Sequence, residues 1–220
     1  MMGSMARIVT GIAVVCSLTL GGGLANAADS AFKYVGASKC KTCHKKELMG
    51  DQYGAWQKAK HSKAFETLKG AKAIEIAKAK GIAGAPSEAA ECLKCHSTAA
   101  TLGPKDYDKK PLANSDGVQC ETCHGPGSAY KSKKTMANHD KSLASGLIVP
   151  DEKTCVKCHN DQSPTWDTAK YKLANGTTTG FDFDQAAEKI DHSIPKDVKG
   201  KYIEVEKQRK GAGGGDGDDS

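Results

Sequence analysis

Three observations predict a mainly α-helical chain of short helices and long loops, wrapped around bound groups instead of a conventional apolar core. The frame Cys-x-x-Cys-His occurs four times, at residues 40–44, 92–96, 120–124 and 155–159. Apolar residues make up 38% of the 220-residue chain and aromatic residues 5%, too few to fill an interior of that size. Strand patterning is unconvincing outside residues 202–205, whereas several stretches carry helical spacing and caps. Two thiols three positions apart on a helical turn can each form a thioether to one haem vinyl group, and the histidine that follows offers its imidazole to the iron. The expected class is therefore a small multihaem cytochrome, its short helices and long loops wrapped around four closely packed c-type haems.

Residues 1–27 read as a secretory signal, with Arg7 as the positive start, an apolar run from 8 to 20, and Ala25-Asn26-Ala27 as a small-x-small cleavage site. The apolar run is too short for a comfortable membrane span and nothing later replaces it. The mature protein is thus expected to be exported, soluble and periplasmic. Cys16, the ninth cysteine, lies within this segment and would leave with it. Residues 28–209 are expected to form one tetrahaem domain, and residues 210–220 a disordered Gly/Asp tail.

Ser38 is the expected N-cap of a helix that carries the first site through residue 49. A second helix is expected over residues 52–68, with Tyr53, Trp56 and Ala64 on one face and His61 inside it. Residues 71–80 favour a helix by propensity, ended by Gly81. Ser87 would cap the helix of the second site, and residues 101–116, with two prolines among polar residues, read as loop. Glycines flank the third site. Asp151 opens the helix into the fourth, a Gly/Thr-rich turn follows Tyr171, and a last short helix covers residues 184–190, just before His192. The four sites start 52, 28 and 35 residues apart, so a chemical motif repeats without a repeated fold unit.

Competing readings of four Cys-x-x-Cys pairs are two structural zinc sites or a set of short disulfides; neither asks for a histidine at the next position. Under the haem reading, Cys40, Cys43, Cys92, Cys95, Cys120, Cys123, Cys155 and Cys158 hold four haem c groups. His44, His96, His124 and His159 are the proximal iron ligands. Seven histidines are present, so His61, His139 and His192 remain as distal ligands for four irons. That arithmetic leaves one haem without a second histidine, its sixth position open or taken by Met49 or Met136. A haem between two imidazoles is coordinatively closed and suits electron transfer, whereas an open one admits small ligands.

The formal charge of +6 omits the cofactors. Loss of Arg7 leaves +5; up to eight propionates and four ferric irons would bring the total to roughly +1 oxidised and −3 reduced. That balance excludes a nucleic-acid partner. Lysine outnumbers arginine thirty to two, which suits either a solvated surface or diffuse, reversible protein docking.

The residues 34–44 (YVGASKCKTCH), then Trp56 and Lys60-His61-Ser62-Lys63-Ala64, and Gly117-Val118 through Cys120-Glu121-x-Cys123-His124-Gly125-Pro126-Gly127 resemble the tetrahaem cytochrome c-554 family, first known from ammonia-oxidising bacteria. The order of all seven histidines agrees, so the resemblance spans about residues 33–195. It implies a mainly helical fold with haems in close pairs, His139 as distal ligand to the His44 haem, His192 to the His124 haem and His61 to the His159 haem. The haem on His96 would then be five-coordinate. It also implies electron transfer between redox proteins, such as other multihaem cytochromes or a membrane quinone-linked cytochrome.

The leading functional expectation is a periplasmic electron carrier. Alternatives are reduction of a small nitrogen oxide such as nitric oxide at the open His96 haem, and binding or sensing of a diatomic gas there. Exposed haem edges could support a dimer, although no motif calls for one.

Overall fold

The computed structural model describes residues 32–193. The expected signal at 1–27 with Cys16, the strand at 202–205 and the tail at 210–220 lie outside the described residues. The described residues are mainly helical, in ten short segments: α1 (Ala37–His44), α2 (Gln52–Lys58), α3 (Ala64–Thr67), α4 (Ala71–Ala79), α5 (Ala90–His96), α6 (Cys120–His124), α7 (Lys133–Met136), α8 (His139–Ala144), α9 (Glu152–Cys155) and α10 (Phe183–Glu188). Long loops and five 3-10 turns connect them. No described helix is long and apolar enough to cross a membrane.

The start of α1 differs from the expectation. Its N-cap is Gly36, with no side-chain cap of its own, and Ser38 lies inside the helix. The first N–H groups are instead captured from 82 and 85 residues away by Gln119 and Glu121. Upstream, Tyr34 forms a parallel bridge with Tyr107, its N–H donating to the Asp106 carbonyl at 2.7 Å, which anchors the incoming segment on the 101–116 loop.

The single helix expected over 52–68 is broken in two. Asp51 caps α2 by accepting from the Gly54 N–H at 3.0 Å, and a Cβ at Gly54 would collide with that carboxylate. After Lys58 the backbone of Ala59 is extended, a 3-10 turn covers His61–Lys63, and α3 begins at Ala64. Tertiary hydrogen bonds explain the break. Val118 N–H donates to the His61 carbonyl at 3.2 Å and Trp56 Nε1 donates to the Val118 carbonyl at 2.9 Å, so the 117–118 segment takes over a carbonyl that a continuous helix would use.

The helix expected over 71–80 is α4, closed by Gly81 at φ +68°. The second site's helix starts at Ala90 with Ala89 as N-cap, two residues beyond the expected Ser87. Asp151 caps α9 as expected, accepting from Thr154 N–H at 3.0 Å. Asp182 caps α10, which starts one residue earlier and ends two residues earlier than expected. The turn after Tyr171 is a small hairpin: β1 (Tyr171–Lys172) and β2 (Thr178–Thr179) pair antiparallel, Tyr171 opposite Thr179. Asn175-Gly176, with Gly176 at φ +85°, is the turn signal that could have revealed it.

The apolar interior is thin. Among the described residues the buried hydrophobic cluster is Phe65, Leu68 and Leu93, with Cys92 packed against it. Leu48, Ile74, Leu143, Ile148, Val149, Val156 and Ile190 lie open to solvent. What holds the sites in place is mostly hydrogen bonding between loops.

Candidate haem-attachment sites

Each Cys-x-x-Cys-His frame sits on a helical turn. The first three lie within α1, α5 and α6; in the fourth, Cys155 ends α9 and the next turn continues through Cys158 N–H and His159 N–H, which donate to the Cys155 carbonyl at 3.1 and 3.0 Å. Helical rise brings both thiols and the imidazole to one side of a short segment, as attachment to one macrocycle requires. Among the described residues none of the eight frame cysteines is paired in a disulfide. Among the described residues no three His, Cys, Asp or Glu side chains converge as a site for a bare metal ion.

The frames are brought together in a definite order. α1 packs on α6, with the Cys40 and Cys120 thiols near enough to perturb each other, and the Cys95 and Cys158 thiols are likewise neighbours. The proximity of Cys40 lowers the Cys120 thiol pKa, while Cys120 and burial raise that of Cys40. Burial and then Cys95 push the Cys158 thiol up to about 12. Cys123 also feels Cys155 and Cys158. The first site therefore adjoins the third, the second adjoins the fourth, and the third adjoins the fourth.

Two pairs of histidines face each other. The His61 and His159 ring centroids are 6.0 Å apart at 85°, and those of His124 and His192 are 6.0 Å apart at 88°. An imidazole nitrogen bonds a first-row metal at about 2 Å, so two rings on opposite sides of one ion have centroids about 6 Å apart. These gaps fit an iron between the rings, and the neighbouring thiols fit its macrocycle. Burial lowers the pKa of His61, His124 and His159, favouring the neutral imidazole that can ligate. His159 also stacks on Phe181 at 5.5 Å, beside a cavity of about 380 Å³ lined by Glu152, Leu173, Phe181 and Phe183.

His44, His96 and His139 make no ring contact with another histidine among the described residues. His139 is the exposed first residue of α8. His96 is oriented by Nδ1, 2.8 Å from the Ala64 carbonyl and 3.2 Å from Thr67 Oγ1. His124 Nδ1 faces the Ile148 carbonyl at 3.2 Å, and His192 Nδ1 the Ile190 carbonyl at 2.7 Å. His44 differs: its Nδ1 faces a side chain, Gln52 Oε1, at 3.3 Å. Such contacts fix the tautomer and leave Nε2 for a metal.

Sequence reading missed three residues that position these sites: Gln52, Gln119 and Glu121. Gln52 carries no sequence signal. Glu121 carries a weak one, since it lies inside the third frame and only six residues before Gly127. It is 1% exposed and accepts hydrogen bonds from Val35, Gly36 and Gly127 N–H groups. Thr98 Oγ1 accepts from Gln119 N–H at 2.8 Å and lies 2.5 Å from Thr122 Oγ1, joining the end of the second site to the third.

Comparison with known proteins gives the family. The family described as "Cytochrome c554 and c-prime" matches residues 39–125. Cytochrome c-554 from Nitrosomonas europaea is 31% identical over 181 residues, covering 74% of this chain and 72% of that protein. No solved structure matches the chain. With four thiol-and-imidazole frames in contact and this relative aligned over most of its length, the chain belongs to the cytochrome c-554 family, c-type cytochromes that bind haem c covalently.

Proposed function

We propose that this protein is a periplasmic tetrahaem electron carrier that moves electrons between redox proteins. The observation that carries the reading is the contact order of the four frames together with the two facing imidazole pairs. Haem c, when bound, supplies a one-electron Fe(III)/Fe(II) couple. Cys40 and Cys43, Cys92 and Cys95, Cys120 and Cys123, and Cys155 and Cys158 are its four tethers. His44, His96, His124 and His159 are the proximal ligands. His61 and His192 close the fourth and third sites, a pairing supported by their 6.0 Å approaches to His159 and His124. His139 is assigned to the first site on the family resemblance, which leaves the second site, on His96, open.

The thiol contacts between first and third, and between second and fourth, support two close haem pairs joined through the third and fourth sites. Transfer between pairs so close depends little on the intervening side chains. The chain's contribution is ligand identity, orientation through each Nδ1 contact, and nearby charge. Export by residues 1–27 and a single domain over 28–209 complete the proposal, with another multihaem cytochrome or a membrane quinone-linked cytochrome as partner.

The test is the mass and the spin states of the purified protein. The mass should exceed the mature polypeptide by four haem groups, with three irons low-spin and one high-spin. His61→Ala and His192→Ala should each convert one low-spin iron to high-spin in paramagnetic-resonance spectra. An unchanged count in either variant removes that histidine from the ligand set.

A second reading, reduction of a small nitrogen oxide at the second site, draws on one observation: no histidine ring faces His96 among the described residues. Turnover of nitric oxide under a strong reductant at the rate of free haem would end it.

A further inference from the structure

The first and third sites are locked together by a device that their attachment chemistry does not require. Three successive backbone N–H groups at the entry to α1 donate to side chains on either side of Cys120. Val35 donates to Glu121 Oε1 and Oε2 at 2.9 and 3.2 Å, Gly36 to Oε2 at 2.7 Å, and Ala37 to Gln119 Oε1 at 2.6 Å. Gly127 N–H adds a further bond to Glu121 Oε1 at 2.7 Å. The N-terminus of the first site's helix is therefore capped by the third site's own frame.

Packing leaves little slack around this contact. A Cβ at Gly127 would lie 3.1 Å from Glu121 Oε1 and 3.2 Å from Val35 Cγ2. Gly36 has φ +84°, and a Cβ there would lie 2.9 Å from Leu112 Cδ2.

A buried carboxylate is costly unless hydrogen-bonded, and here the bonds come from neutral amides. Among the described residues no lysine or arginine forms an ion pair with Glu121. Its charge is satisfied without being cancelled, and in a site shielded from water it acts over a longer range than a surface charge. Geometry places it beside both sites: it takes the Val35 and Gly36 N–H groups at the entry to α1, and it is the neighbour of Cys120 in the chain. A buried anion so placed opposes adding an electron to iron tethered there.

We propose that Glu121, assisted by Gln119, is the positioning residue that sets how the first and third haems face each other, and that its carboxylate lowers the midpoint potentials of that pair relative to the other. Electrons entering the molecule then settle preferentially on the second and fourth sites. The proposal rests on the four-haem reading above.

The experiment uses the full chain matured with haem. Optical potentiometry gives four midpoints, and paramagnetic resonance gives the magnetic coupling between adjacent irons. Glu121→Gln, nearly isosteric and neutral, is expected to favour reduction about tenfold in two of the four steps, an upward shift of 59 mV for each one-electron couple, and to leave the other two in place. Glu121→Asp retains the charge on a shorter arm; it should keep the low midpoints and weaken the coupling. Four unchanged midpoints in Glu121→Gln, or one uniform shift of all four, overturn the proposal.

Should Glu121→Gln yield no haem-loaded protein, Gly127→Ala decides. Its added methyl group presses on Oε1 with the charge intact, so altered coupling is expected and wild-type coupling overturns the clasp. A wild-type mass carrying other than four haems would instead defeat the underlying reading, so the two failures are distinguishable.

Discussion

Gln52 does at the first site what a backbone carbonyl does at the second and third. His96 and His124 direct Nδ1 at the carbonyls of Ala64 and Ile148, acceptors that no side-chain substitution removes. His44 relies on the Gln52 amide oxygen, and Gln52 is held in turn by donating through Nε2 to the Met49 carbonyl. Gln52→Leu should withdraw the acceptor, make the imidazole a poorer electron donor and raise the midpoint of one haem, whereas Gln52→Glu should lower it. Potentiometric titration checks this, and shifts of the same sign in both variants would contradict it. Tyr34 supports a pH prediction. Burial, then Glu121 and Asp106, raise its phenol above the ordinary 10.0. The folded protein thus holds this proton to higher pH than the unfolded chain does, so its contribution to stability is complete below pH 10 and falls as pH rises through the folded value. Denaturant unfolding at pH 8 and at pH 11 should show a smaller alkaline loss of stability in Tyr34→Phe than in wild type.

His44, His96, His124 and His139 lie in helices, whereas His61, His159 and His192 are placed by turns and loops. The break after Lys58 turns His61 onto the 117–118 segment, and Gly117 makes that contact feasible. It has φ +68°, and a Cβ there would stand 2.8 Å from the Ser62 carbonyl oxygen. Gly117→Ala combines backbone strain with a collision against backbone, and should cost about 1–3 kcal/mol from the strain alone. Disturbing His61 should also reduce the low-spin signal of the His159 haem, which paramagnetic resonance would detect. At the other end of the chain, α10 leads into His192 and is held by Asp182, which accepts from Gln185 N–H at 2.9 Å. Asp182→Ala should lose about 1 kcal/mol, seen as a fall of about 2–4 °C in the thermal midpoint. The hairpin before α10 passed unread because each strand has only two residues, too few for an alternating pattern to show.

At the scale of the molecule, a three-residue apolar cluster among the described residues and a scatter of exposed Leu, Ile and Val side chains cannot offset the conformational entropy of ordering so many loops. Apolar macrocycles would supply the missing buried surface. Chain produced without haem attachment should therefore lack a cooperative thermal transition by circular dichroism, and a sharp transition in such material would show that the polypeptide folds unaided. The sequence by itself determined the mainly helical class, the four Cys-x-x-Cys-His frames and the family, because such a motif is a fixed local spacing that no tertiary context alters. It also placed α4 and the Asp151 cap, where propensity and capping are local effects. Only the tertiary structure decided which frames touch, where the 52–68 helix breaks, and that Glu121 and Gln119 cap α1 from across the chain. Those outcomes depend on hydrogen bonds between residues 57 to 86 positions apart, and a buried carboxylate or an interrupted helix leaves no periodic trace in the residues around it.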